Sequence, residues 1–234
     1  MFCLRNFSFF SKGTKLIVTA AHCVQGKFDN YLLKPEEAFF HLGKHNLNAL
    51  TGDFVVTSGV SQFFVHPYWN WNSKQYDGDI AIAVLIRTIF FNSFVRPICL
   101  WTRSNSFQDL VGRKGKVAGW GKTDPLSEAA ETPQYGEITV VDTVTCLRSN
   151  AGFNEITSDR TFCAGDRAAG KGPCNGDSGG AFSVENGNKN YLRGIVSSAL
   201  RDQQLSTCDT KNYAVFTDVQ MYLGWLQGYI QQYG

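Results

Sequence analysis

Gly172-Pro173-Cys174-Asn175-Gly176-Asp177-Ser178-Gly179-Gly180 sets a serine between glycines, directly after an aspartate and close to a cysteine. Glycines let a backbone take turns that a side chain would forbid. Such a turn can hold the Ser178 hydroxyl outward and aim neighbouring amides at one point. A nucleophile with an oxyanion hole needs both. Taken alone, the stretch also reads as a Gly-rich surface turn.

A serine hydroxyl is a poor nucleophile at neutral pH. It needs a base within reach, and the base needs its own orienting group. Thr19-Ala20-Ala21-His22-Cys23 offers the base. Asp77-Gly78-Asp79-Ile80-Ala81-Ile82-Ala83-Val84-Leu85 offers an aspartate at the mouth of an apolar strand. Considered singly, His22 reads as a structural histidine and Asp79 as a strand cap. Asp77 competes for the orienting role, but the apolar run begins directly after Asp79, which favours Asp79 for the buried position. His41, His45 and His66 lack the small-residue and cysteine context of His22, and His66 before Pro67 reads as a loop residue.

The three stretches, in this order, resemble the trypsin/chymotrypsin-like serine proteases, with their TAAHC segment, D-I-A strand start and GDSGG. The resemblance runs from about Ser11 to the C-terminus, and insect-type or clotting-cascade multidomain proteases are its nearest kind. It implies an all-β fold of two packed six-stranded antiparallel β-barrels with a C-terminal α-helix. The protease domain spans 11–234, with a barrel crossover near 100–115. A cleft between the barrels holds His22 and Asp79 from the first half and Ser178 from the second. The implied roles are Ser178 as nucleophile, His22 as general base and then acid, and Asp79 as the carboxylate orienting the imidazole. The oxyanion hole is expected from the amides of Gly176 and Ser178. Gly176 to Gly180 also fits the G-x-S-x-G elbow of α/β-hydrolases, but there the histidine follows the serine, and all four histidines here precede Ser178.

The same resemblance implies a substrate pocket formed by Gly172, Ser197, Ala199 and Ala214. Gly172 stands where trypsins carry the aspartate that binds Arg or Lys. Ala199 and Ala214 replace glycines that line the wall. Cleavage after medium-sized apolar residues is therefore expected. Ser197 matches the serine that touches the triad aspartate. Asp177 is expected to pair with an α-amino group freed on zymogen cutting. Residues 1–10 do not fit the pattern, so the chain is expected to lack the true N-terminus, and as written to be zymogen-like. The alternative reading is a non-catalytic or zymogen-like homologue acting as a binding protein.

The chain has 234 residues, 43% of them hydrophobic, enough for a well-buried core. A net charge of +2 without a basic block points away from nucleic acid. No apolar run approaches a membrane span. The seven cysteines lack the paired spacing of a zinc site, so disulfides and an extracellular compartment are expected. By resemblance, Cys146 pairs with Cys163 and Cys174 with Cys208. Cys99 matches a cysteine that tethers an upstream regulatory domain, with a buried free thiol as its other reading. The usual partner of Cys23 belongs to the segment expected to be missing, and Cys3 is at best a displaced candidate for it. No metal site or cofactor is called for. The expected partners are protein substrates and serpin-type inhibitors.

Strands are expected at Lys15 to Thr19, Phe39 to Leu42, Phe54 to Val56, Ile80 to Ile86, Lys116 to Gly121, Glu137 to Val141, Tyr191 to Ser197 and Tyr213 to Thr217. Thr145 to Ser149 reads as a short helix or turn. Val219, Tyr222, Leu223, Leu226 and Ile230 recur at helical spacing, with Asp218 as a starting cap.

Overall fold

The computed structural model describes residues 2–4, 13–26, 30–49, 54–102, 106–123, 129–202 and 207–234. The first half holds β1 (Phe2–Leu4), β2 (Gly13–Thr19), β3 (Phe39–Leu42), β4 (Val56–Val65), β5 (Ala81–Phe90) and β6 (Pro97–Leu100). The second half runs β7 (Lys114–Gly119), β8 (Gln134–Val141), α1 (Thr143–Ser149), α2 (Phe153–Ile156), β9 (Thr161–Gly165), β10 (Ala181–Asn186), β11 (Lys189–Ala199), β12 (Arg201–Asp202), β13 (Thr207–Cys208) and β14 (Ala214–Asp218). Helix α3 (Leu223–Tyr233) ends the chain.

Strands β7, β8, β9, β14, β11 and β10 pair antiparallel in sequence around a ring, and the β10–β11 pairing closes it. This is a six-stranded barrel. Strands β1, β2, β5, β4 and β3 form an antiparallel half-barrel, and β6 joins the halves by parallel pairing with β1 and β11. The all-β fold with two strand-built halves and a terminal helix is as expected. The first half differs in being open among the described residues. The strand expected at Phe54 to Val56 is also displaced: Phe54 is in a turn, and β4 begins at Val56.

Each half has its own core. In the barrel, Phe162, Phe182 and Phe216 pack together with centroids 5.1 to 5.3 Å apart, Phe162 stacked on Phe216. Gly115 makes room for them, since a Cβ there would fall 2.1 Å from the Phe182 ring. Between the halves, Leu16, Ile82 and Val84 meet Leu192 and Ile195, and Tyr222, Leu226 and Ile230 cover them. The expected apolar stripe is therefore the lid on the inter-half core. Burying each such side chain contributes on the order of 1.5–3 kcal/mol. Asp218 caps the 3-10 turn Val219–Tyr222 that precedes α3, accepting from the Gln220 amide. Its carboxylate also pairs with Arg193, which is buried in the barrel wall.

Register positions the site. Strands β2 and β5 are antiparallel neighbours, with Val18 opposite Ile82 and Thr19 opposite Ala81. The chain leaving β2 turns at His22, and the chain entering β5 passes Asp79. Strand pairing alone thus brings both to one end of the half-barrel.

Candidate active site

His22 sits in the 3-10 turn Ala21–Cys23. Its backbone N–H donates to Asp79 Oδ1 at 2.9 Å, and its Nδ1 lies 2.8 Å from Asp79 Oδ2. Asp79 is fully buried. Ser197 Oγ donates to the same carboxylate, so three donors converge on it. Thr217 Oγ1 holds the Asp79 backbone carbonyl at 2.8 Å. With Nδ1 directed at Asp79, the neutral imidazole carries its proton there and presents the Nε2 lone pair outward. Burial disfavours the imidazolium, but the adjacent Asp79 charge and hydrogen bond outweigh it and raise the His22 pKa. The ring packs beside Trp69 and edge-on to Tyr76.

Ser178 is exposed in the turn after β9. Gly176 and Gly179, on either side, have φ of +100° and +76°, which only glycine adopts freely. Gly179 also has a packing reason. A Cβ there would fall 2.2 Å from Thr19 Oγ1 and 3.2 Å from Cys23 Sγ. The serine turn therefore lies directly against the His22 turn. His22 and Ser178 line one cleft of about 270 Å3 with Ser197, Ala199, Tyr76 and Arg201. Their side chains are not hydrogen-bonded to each other, and Nε2 has Cys23 Sγ at 3.7 Å. Such contacts commonly tighten only when substrate is bound.

The Asp177 amide donates to Cys174 and the Gly179 amide to Val196. Among the described residues, the Gly176 and Ser178 amides donate to no acceptor. Asp177 turns away from the cleft, accepting from the Gly121 amide at 2.8 Å and the Cys174 amide at 3.0 Å. Gly119 and Gly121 have no room for a Cβ beside its carboxylate. Gly172 lines a separate groove with Asp177, and its side-chain position is open. Ala214 is buried in the barrel, directly opposite Ala199 in the β14–β11 pairing. Ser197 and Ala199 thus join the cleft with His22 and Ser178, whereas Gly172 and Ala214 lie outside its lining.

Both expected disulfides are present. Cys146–Cys163 ties α1 to β9, and Cys174–Cys208 ties the serine turn to β13. Cys23 and Cys99 are free thiols, exposed and half-buried respectively. The Cys3 side chain and most of residues 1–10 lie outside the described residues.

Several supporting residues gave no sequence signal. Arg160 and Ser158 both donate to Asp77 Oδ1. The Gly78 amide donates to the Tyr222 hydroxyl at 3.1 Å. Together they brace the loop that delivers Asp79. Only Tyr222 left a hint, as the residue with a polar tip in an apolar stripe. His66 packs edge-on against Tyr68, Tyr222 and Trp225, away from the cleft lining.

The family profile described as Trypsin matches residues 10–226. The chain is 29% identical to "Serine protease gd" of Drosophila melanogaster, covering 92% of the chain and 46% of that protein. It is 34% identical to "Coagulation factor IX" of Cavia porcellus, covering 90% and 68%. It is 31% identical to "Phenoloxidase-activating factor 1" of Holotrichia diomphalia, covering 97% and 63%. The chain thus spans about half to two thirds of the length of these curated relatives.

Proposed function

The chain belongs to the trypsin family of serine proteases, and on that premise we propose that it is an endopeptidase working through an acyl-enzyme. Ser178 Oγ attacks the peptide carbonyl carbon while its proton passes to His22 Nε2. The oxyanion that forms takes hydrogen bonds from the Gly176 and Ser178 amides. Collapse breaks the C–N bond, and His22 returns the proton to the leaving amine. Water then attacks the ester, again losing its proton to His22, and frees Ser178. Asp79 fixes the imidazole tautomer and stabilises the imidazolium. One observation carries this reading: buried Asp79 grips His22 at both backbone and ring, with the ring opening on the cleft where Ser178 stands.

A preference for medium-sized apolar residues at the cleaved position goes with this reading. Ala199 supports it, because its methyl group lines the cleft and no acidic side chain is among the described lining residues. The named relatives support an extracellular proteolytic cascade, with protein substrates and serpin-type inhibitors as partners. In that setting Asp177 pairs with an α-amino group on activation, and Cys99 tethers an upstream domain. A peptide-library profile, with Ser178→Ala as control, tests the reading. Cleavage after residues such as Leu or Val is expected, and strong preference for Arg or Lys would overturn the pocket assignment. A second reading, a zymogen-like binding homologue, is favoured by the missing Ser178–His22 hydrogen bond. Activated, folded protein that hydrolyses no peptide would select it.

A further inference from the structure

Arg201 follows directly on the strand that borders the cleft. Side chains alternate along an extended chain. Leu200 packs into the cluster of Cys146, Phe153 and Val215, while Ala199 and Arg201 face the cleft. Arg201 is held in place by its backbone. It pairs with Cys208 between β12 and β13, and Cys208 is bonded to Cys174 beside the serine turn.

The guanidinium itself has no hydrogen-bond or ion-pair partner among the described residues. The nearby Asp209 carboxylate is occupied by the Lys211 amide and the Asn212 side chain. Among the described residues no carboxylate lines the cleft, and His22 is the other titratable base there. Across from Arg201 stands Tyr76, whose hydroxyl is made a weaker acid first by burial and then by Asp79, with the Arg201 charge opposing both. A cation carried on a braced strand, unpaired among the described residues, in a substrate-sized cleft is a recognition element. Arginine offers parallel N–H donors that match a carboxylate.

We propose that Arg201 makes this cleft select peptides carrying Asp or Glu roughly two residues from the cleaved bond, on the side that stays with Ser178. The distance follows from the chain. Arg201 lies two positions beyond Ala199, or about 7 Å of extended strand, close to two residues of a peptide lying alongside. This assignment rests on the cleft being the substrate site, as argued above. It leaves the preference at the cleaved residue itself to the pocket.

Binding separates this idea from catalysis. Fluorescence anisotropy of the full chain carrying Ser178→Ala is measured with paired peptides differing only in Glu or Gln at that position. The Glu peptide is expected to bind about five-fold more tightly at low salt, with the advantage shrinking as salt screens the pair. Arg201→Gln should erase the difference while leaving the Gln peptide unaffected. Arg201→Glu should reverse it in favour of a Lys peptide. Equal affinities, or a Glu advantage that survives Arg201→Gln, would overturn the proposal. A Glu advantage in protein that cleaves nothing would leave Arg201's role intact and refute catalysis. Cleavage without charge discrimination would do the opposite.

Discussion

Arg160, at the edge of β9 in the barrel, grips the carboxylate of Asp77 through two guanidinium nitrogens, across the boundary between the halves. Asp77 lies two residues before the carboxylate that holds His22. Ser158 donates to it as well, and the Tyr222 hydroxyl takes the Gly78 amide between the two aspartates. A bond between halves therefore fixes the loop that carries Asp79.

Arg160→Ala should lower stability by about 1 kcal/mol at neutral pH, a small value because both groups are partly exposed. Partial burial works against the Asp77 charge, but Arg160 and Ser158 outweigh it and lower the Asp77 pKa. The contribution is thus present above the unfolded aspartate value of about 3.9 and is lost as pH falls through the folded value. Urea midpoints of the two proteins should differ at pH 7 and converge in strong acid. A gap that persists there would assign the effect to packing.

The raised His22 pKa fixes the sign of the pH profile. A general base must be neutral, so the acid limb of kcat/KM should lie above the unperturbed histidine value of about 6.5. Asp79→Asn removes the charge that raises it. The variant should lose about 10⁴-fold in kcat, because the imidazole no longer holds the needed tautomer. Steady-state rates from pH 5 to 10 check both statements.

Gly179→Ala should abolish the proposed peptide hydrolysis without touching any reacting group. The position has φ of +76°, and the new methyl group would collide with Thr19 Oγ1. Moving the serine turn off the His22 turn should cost about 1–3 kcal/mol of stability and most of the activity. Gly172→Ala, at an open position of ordinary φ, should fold as the parent does. Thermal unfolding and peptide hydrolysis of the two variants make the comparison.

Opening the Cys174–Cys208 bridge should loosen the serine turn and the Arg201 hairpin together. Its cysteines lie 34 residues apart, for which chain entropy gives about 3–4 kcal/mol. Cys174→Ala with Cys208→Ala should unfold at lower denaturant and lose discrimination between Glu and Gln peptides before losing Asp79–His22 geometry.

Much of this site was legible in the chain because its chemistry is local. Glycines around Ser178 mark a turn with positive φ, and the apolar run after Asp79 marks a buried strand start. The choice of Asp79 over Asp77 followed from that run. The rest depends on partners distant in sequence. Arg160 and Thr217 are ordinary polar residues until the fold sets them against Asp77 and Asp79. Arg201 lies between the strands expected at Tyr191 to Ser197 and Tyr213 to Thr217, in a two-residue strand where alternation has too few residues to register. Val56 to Val65 went unread as a strand because Ser58, Gly59, Ser61 and Gln62 interrupt its pattern.

The central claim is that Ser178 is a nucleophile activated by His22. Labelling of the activated protein with a fluorophosphonate, followed by mapping of the modified peptide, tests it most directly. The account predicts near-stoichiometric modification of Ser178, abolished by Ser178→Ala and slowed by at least about a thousand-fold in His22→Ala. Folded protein that leaves Ser178 unmodified, or labels as fast without His22, would contradict it.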